Sequence, residues 1–181
     1  MSKVLVVYST HEGQTAKIAH FIAEILRGHG LEVTVSDLKD PAEPVPSGYD
    51  GVMVGGSVHG GKHDKRVVDY VRKNLDALAG APSAFFSVSL AAAGHDIEEA
   101  EGHVERFEEQ TGWRPGRIGL FGGGLPYTHL NFVMRYMMKK IVQSKPGDLG
   151  TDVSRDYVYT EWDGVRQFAE DFAAGLEKAA R

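Results

Sequence analysis

An apolar, β-branched run, Val4-Leu-Val-Val-Tyr8, gives way within a few residues to a helical pattern that begins around Gln14. So abrupt a change of period, from a buried strand to a helix across one short loop, is the mark of a parallel α/β sheet. The connecting loop is Ser9-Thr-His-Glu-Gly-Gln-Thr15, hydroxyls gathered around one glycine. At a helix N-terminus such a loop offers free backbone N–H groups, hydroxyl donors and the positive end of the helix dipole. Those are the elements of a phosphate cradle. No GxxxxGK motif closed by Ser or Thr is present, and the loop lacks GxGxxG, so a terminal monophosphate is the better fit.

The same alternation continues down the chain. Ile18, Phe21, Ile22, Ile25 and Leu26 recur at helical spacing, and Gly28 and Gly30 end that helix. Leu31–Val35 alternates as an edge strand should, and the three prolines of 41–47 force a loop. Strand three, Gly51–Val54, runs into the glycine-rich loop 55–61, and a helix over 64–78 follows. Strand four, Ala84–Ser89, runs into the small-residue stretch 90–94, then an acidic helix over 97–110 that reads as a solvated face. Strand five is Ile118–Phe121; the last helix spans 164–179, with Asp163 as its cap.

Alternating strands and helices predict a parallel sheet with right-handed crossovers and helices on both faces. Ligands of such a sheet sit beyond the carboxyl ends of its strands. The loops 9–15, 55–61 and 87–94 share that edge, and their small residues let a planar ring approach the backbone. A monophosphate attached to a planar ring narrows the ligand to flavin mononucleotide (FMN).

After strand five the expected helix is missing. An insertion over 125–155 takes its place, and its part from Leu125 to Gly147 carries Arg135, Lys139, Lys140 and Lys145 with no acidic residue. On a helical wheel Leu130, Met134, Met137, Met138 and Ile141 share one side, while Arg135 and Lys139 lie on another. A basic amphipathic helix of this kind suits a membrane surface or a partner protein. The rest of the composition sets bounds. A net charge of −5 argues against nucleic acid as a partner. The absence of cysteine removes disulfides, thiol nucleophiles and iron–sulfur ligation. Met-Ser-Lys leads straight into a strand, so no signal peptide is expected. No metal is expected either, because His59 and His63 lack carboxylate or thiolate companions.

The loop Tyr8-Ser-Thr-His-Glu-Gly-Gln-Thr15 resembles that of flavodoxin-like proteins. Four further stretches resemble the flavodoxin-like, menaquinone-dependent protoporphyrinogen oxidases of bacteria. These are Pro82–Leu90, Trp113-Arg-Pro115, the basic methionine-rich insertion and Tyr159-Thr-Glu-Trp162. The resemblance covers nearly the whole chain. It implies a flavodoxin-like, doubly wound, five-stranded parallel sheet with a long insertion after strand five, in a single domain over residues 1–181. It also implies bound FMN and the oxidation of protoporphyrinogen IX to protoporphyrin IX in haem synthesis. Electrons would pass to menaquinone or another quinone, in a cytoplasmic protein held peripherally on the cytoplasmic face of the inner membrane. Self-association as a homo-oligomer is compatible with this picture.

On the same resemblance, Ser9, Thr10, His11, Glu12, Gly13, Gln14 and Thr15 form the phosphate loop, with Glu12 turned to solvent or capping the loop. Ser57, Val58, His59 and Gly60 would flank the ring, and Ser87, Val88, Ser89, Leu90, Ala91 and Ala92 would line its pyrimidine edge. His59 is the candidate acid–base residue. Tyr127 and His129 are candidate substrate contacts, and Arg135, Lys139 and Lys140 candidate substrate or membrane contacts. Trp113 and Trp162 are read as core or hinge aromatics. Two other readings stand beside this one: a flavodoxin-type electron carrier, and an NAD(P)H:quinone reductase of the same fold. A third is a domain that binds without flavin.

Overall fold

Val4, Leu5, Val6 and Val7 are all fully buried, which a strand achieves only when helices cover both faces of its sheet. In the computed structural model, which describes every residue except His95, Pro146 and Asp148, they lie in β1 (Lys3–Ser9). β1 sits between β2 (Glu32–Asp37) and β3 (Gly51–His59); β5 (Ser83–Ser89) and β6 (Arg117–Gly122) follow on the far side of β3. The order β2-β1-β3-β5-β6 is parallel throughout. β2, at the edge, shows the alternating exposure expected of it.

The period-2 alternation of the strands distributes the core. Val4, Val6 and Tyr8 face α1 (Gln14–Gly28) and α7 (Trp162–Ala179). Leu5 and Val7 face α2 (Lys65–Lys73) and α5 (Ile97–Thr111), where Phe85 and Phe107 stack at 4.3 Å and Trp113 is buried against both. Each fully buried aliphatic side chain in these layers contributes about 1.5–3 kcal/mol.

Four local expectations are corrected. Strand three does not stop at Val54. It continues to His59 and turns through Gly60 and Gly61, both at positive φ, into the short antiparallel β4 (Lys62–His63). The helix over 64–78 is two helices, because Asn74 leaves helical geometry and bonds back to the Tyr70 carbonyl, so α3 (Leu75–Ala79) starts afresh. The stretch after β5 closes into α4 (Leu90–Ala93), capped by the Ser89 hydroxyl. The last helix starts at Trp162 with Glu161 at its cap position, and Asp163 lies in its first turn. Trp162 itself is partly exposed and packs on Phe21, not in the core.

Beyond β6 the chain forms β7 (Gly124–Leu125), a 3-10 turn at Tyr127–His129, α6 (Phe132–Ser144) and β8 (Tyr157–Val158). β7 pairs antiparallel with β8, so the insertion leaves and returns at neighbouring points. A small core of Leu125, Tyr127, Val142 and Leu149 holds it together.

Candidate functional site

All five parallel strands end on one edge, and there the loops from β1, β3, β5 and β6 enclose a cavity of about 340 Å³ roofed by α6. One end is polar. The β1–α1 loop contributes Thr10, His11, Glu12, Gln14 and Thr15. Gly13, at φ +95°, is the N-cap residue of α1, and no side chain caps the helix. The Gly13 N–H donates to Thr10 Oγ1 at 2.9 Å, folding the loop onto itself. Ser9 Oγ, Thr15 Oγ1 and Ser57 Oγ are buried with no hydrogen-bond partner in the protein. Buried hydroxyls without partners are costly and rare. Thr15 Oγ1, which lines the cavity beside an uncapped helix N-terminus, is a donor that a bound phosphate group would satisfy.

The middle of the cavity is made of backbone and small side chains. Ser57, Val58, His59 and Gly60 form one wall, and Val88, Ser89, Leu90 and Ala91 form another with Gly123 and Gly124. Gly123 lies against Val88 and Ser89, close enough that a side chain there would crowd them. The space between the two walls is mostly apolar. His59 is half exposed; its ring tilts over that of His11 at 4.3 Å between centroids, and its Nδ1 lies 3.9 Å from Glu12 Oε1. Glu12 therefore turns toward His59 at the cavity wall.

Four residues read as cofactor contacts do not line the cavity. Ser9 and Gly13 shape the cradle from beneath it. Ser87 points to the other side of the sheet, where its Oγ lies 2.8 Å from His63 Nε2. Ala92 is turned away within α4, where its N–H serves the Ser89 cap. Gln14 lines the cavity, but its amide already donates to Thr160 Oγ1 at 2.8 Å, and Thr160 in turn donates to the Gly122 carbonyl.

The insertion residues divide differently from the reading of their sequence. Tyr127 is fully buried and its hydroxyl donates to the Gly150 carbonyl at 2.8 Å, so it anchors the insertion instead of touching a substrate. His129 is exposed and pairs with Asp156 at 3.5 Å. Arg135 donates to the Leu130 carbonyl, and Lys140 lies over the Tyr136 ring. Neither these two nor Lys139 reaches the cavity. The roof is instead Leu130, Met134, Met138 and Ile141; Met137, on the same side of α6, is half exposed and does not line the cavity.

Two lining residues from α5 and one beyond α6 were not anticipated: Glu99, His103 and Lys145. Lys145 Nζ contacts both Glu99 oxygens, at 3.0 and 2.8 Å. Arg106 donates to His103 Nδ1 at 2.7 Å. The pKa of His103 is lowered, first by burial and then by Arg106. Beneath it His63 is lowered to about 3, chiefly by burial between Phe85 and Phe107, then by the nearby His103 and Arg106.

Comparison with known proteins agrees with this layout. The family model described as "Flavodoxin domain" matches residues 5–152. The protoporphyrinogen IX dehydrogenase [quinone] of Escherichia coli strain K12 is 32% identical over 97% of both chains. This chain belongs to that flavodoxin-domain family of dehydrogenases. A member from Leishmania major is 37% identical over 95% of this chain and 75% of its own, so the family is not confined to bacteria. Among solved structures, oxidised flavodoxin 1 from Bacillus cereus matches with a TM-score of 0.56 at 18% identity, covering 96% of this chain and 98% of its own. A flavodoxin variant from Pseudomonas aeruginosa matches at 0.59 and 16% identity, covering 97% and 99%. At those identities the two flavodoxins share the fold of the dehydrogenase-family chain and nothing further can be carried over.

Proposed function

We propose that the chain is an FMN-dependent dehydrogenase that oxidises protoporphyrinogen IX to protoporphyrin IX and passes the electrons to a quinone. The observation that carries the proposal is the two-part cavity: a hydroxyl-rich loop at a helix N-terminus at one end and an apolar roof from α6 over the other. The near full-length similarity to the E. coli dehydrogenase supports the same reading. Thr10, Thr15 and the first N–H groups of α1 hold the phosphate, with Ser9 beneath them. Val58, His59 and Gly60 flank one side of the ring, and Val88 to Ala91 its polar edge. When bound, FMN supplies the two-electron chemistry that links porphyrinogen to quinone.

The chain's own residues do the rest. The roof of Leu130, Met134, Met138 and Ile141 offers a large planar tetrapyrrole a polarizable apolar surface and keeps water from the cavity. His59, at the cavity wall, takes up the protons released as the porphyrinogen is oxidised, with Glu12 steadying the imidazolium.

The reading extends to the membrane. Phe132 (84% exposed), Val133 (65%) and Tyr136 (55%) stand out on the outer face of α6, beside Lys139 and Lys140. No helix among the described residues is long and apolar enough to cross a bilayer. α6 therefore lies flat on an anionic membrane surface, where menaquinone is dissolved.

Anaerobic protein loaded with FMN, given protoporphyrinogen IX and a menaquinone analogue, should produce porphyrin fluorescence well above autoxidation. Rapid NADPH-to-quinone turnover with no gain in porphyrin would overturn the proposal in favour of a quinone reductase.

A further inference from the structure

Among the described residues, the cavity is lined by a single permanently charged cation, Lys145, against the carboxylates of Glu12 and Glu99. We propose that Lys145 is the group that receives a propionate carboxylate of the substrate, and so sets the preference for a dicarboxylic porphyrinogen. The assignment rests on the function proposed above.

Position is the first argument. Met134, Met138 and Ile141 form one stripe of α6, and Lys145 follows immediately after the helix ends. One element thus offers apolar surface to a ring and an ammonium to its periphery, which is the chemistry of an apolar macrocycle with carboxylate arms. A cavity presenting only Glu12 and Glu99 would repel such a dianion.

Geometry is the second. A lysine ammonium has three donors, and Glu99 occupies Lys145 from one side only, at 3.0 and 2.8 Å. The Lys145 side chain keeps 22% of its surface exposed. Glu99 has a second partner within reach, since His103 Nε2 lies 3.8 Å from its Oε1. Arg106 can only donate, so His103 Nδ1 is the acceptor of their 2.7 Å contact and the ring hydrogen sits on Nε2, facing Glu99. Glu99 holds Lys145 in place while the cavity is free of substrate. It then turns toward His103 as an incoming carboxylate takes the ammonium.

The test compares binding of protoporphyrin IX and its dimethyl ester to the FMN-loaded chain, followed by porphyrin absorbance. Lys145→Met should bind the free acid about tenfold more weakly than wild type and the ester unchanged, the loss expected for one charged hydrogen bond. Lys145→Arg should retain the preference for the acid, and Glu99→Gln should bind the acid as tightly as wild type or more tightly. Equal losses for acid and ester in Lys145→Met would overturn the assignment. So would a loss in Glu99→Gln as large as that in Lys145→Met, because the pair would then only latch α6 to α5. The FMN dissociation constant of each variant reports that the site is otherwise intact. Turnover of protoporphyrinogen IX by wild type tests the underlying function separately: turnover with unaltered binding in Lys145→Met sinks only the role of Lys145.

Discussion

Gly55 of β3 and Phe86 of β5 face each other across the parallel ladder, and the Phe86 ring fills the space that a side chain on Gly55 would need. Phe86 is fully buried among α1- and α7-facing residues and has nowhere to retreat. Gly55→Ala should therefore destabilise by about 1–3 kcal/mol or more through overpacking. Pairing it with Phe86→Leu should recover part of the loss, since the two residues share one volume. Urea denaturation of the single and double variants measures both effects; strictly additive losses would refute the shared volume.

His63 makes stability depend on pH. Its folded-state pKa is lowered from 6.5 to about 3, so below pH 6.5 the unfolded chain takes a proton that the folded chain refuses. The stability present above pH 6.5 is lost as pH falls toward 3, at up to roughly 1.4 kcal/mol per pH unit. His103 is lowered as well and adds to the slope. His63→Gln keeps a partner for Ser87 without titrating, and should flatten the urea midpoint between pH 7 and 4. An unaltered pH profile would count against the burial of a neutral His63.

The cradle hydroxyls should show opposite effects in two assays. Ser9 Oγ and Thr15 Oγ1 are buried without partners, so Ser9→Ala or Thr15→Val should leave the FMN-free chain as stable or more stable. Thr15→Val should weaken FMN binding about tenfold and Ser9→Ala, beneath the cradle, by less, read by flavin fluorescence titration. Thermal scans with and without FMN separate the two. A variant that loses stability in both scans would mean that the hydroxyls serve the fold instead.

On the outer face of α6, Phe132→Ser with Val133→Ser should sharply reduce partition onto anionic vesicles and leave FMN affinity unchanged. Lys139→Glu with Lys140→Glu should do the same, with a strong salt dependence in the wild type. Arg135 is unsuitable for this test because it braces the Leu130 carbonyl inside the insertion. Sedimentation with phosphatidylserine vesicles reads the effect; equal binding of all variants would refute the membrane face.

The sheet and the hydroxyl-rich end of the cavity are legible in the sequence because both follow from short-range pattern. A fully buried strand has no polar face, and a hydroxyl loop before a helix has one obvious use. The cavity walls are legible as stretches and less so as side chains, since Val88 to Ala91 line the cavity and Ser87 and Ala92 do not. Ser87 points to His63 because strand alternation aims it at the α5 layer. The helical wheel of the insertion shows its apolar side but not that this side roofs the cavity. Met134, Met138 and Ile141 lie on one stripe of α6, and Lys145 follows just past the helix end, four residues beyond Ile141. Its partner Glu99 gave no such signal, since one glutamate of an acidic helix looks like the others until the insertion folds over it. Tyr127 looked like a substrate contact only because its burial depends on Gly150, more than twenty residues away.

The pairing of β7 with β8 gives the molecule a history as well as a shape. Gly124–Leu125 and Tyr157–Val158 are adjacent, so the insertion leaves and rejoins the core at one place, like a handle from two rivets, with Lys145 fastening its far side to Glu99. Closing a longer or shorter loop across fixed ends changes the free energy only logarithmically with its length. A genome can therefore trade one handle for another by a single recombination between these rivets without rethreading the sheet. An old nucleotide-binding core can in this way acquire a new reaction in one step.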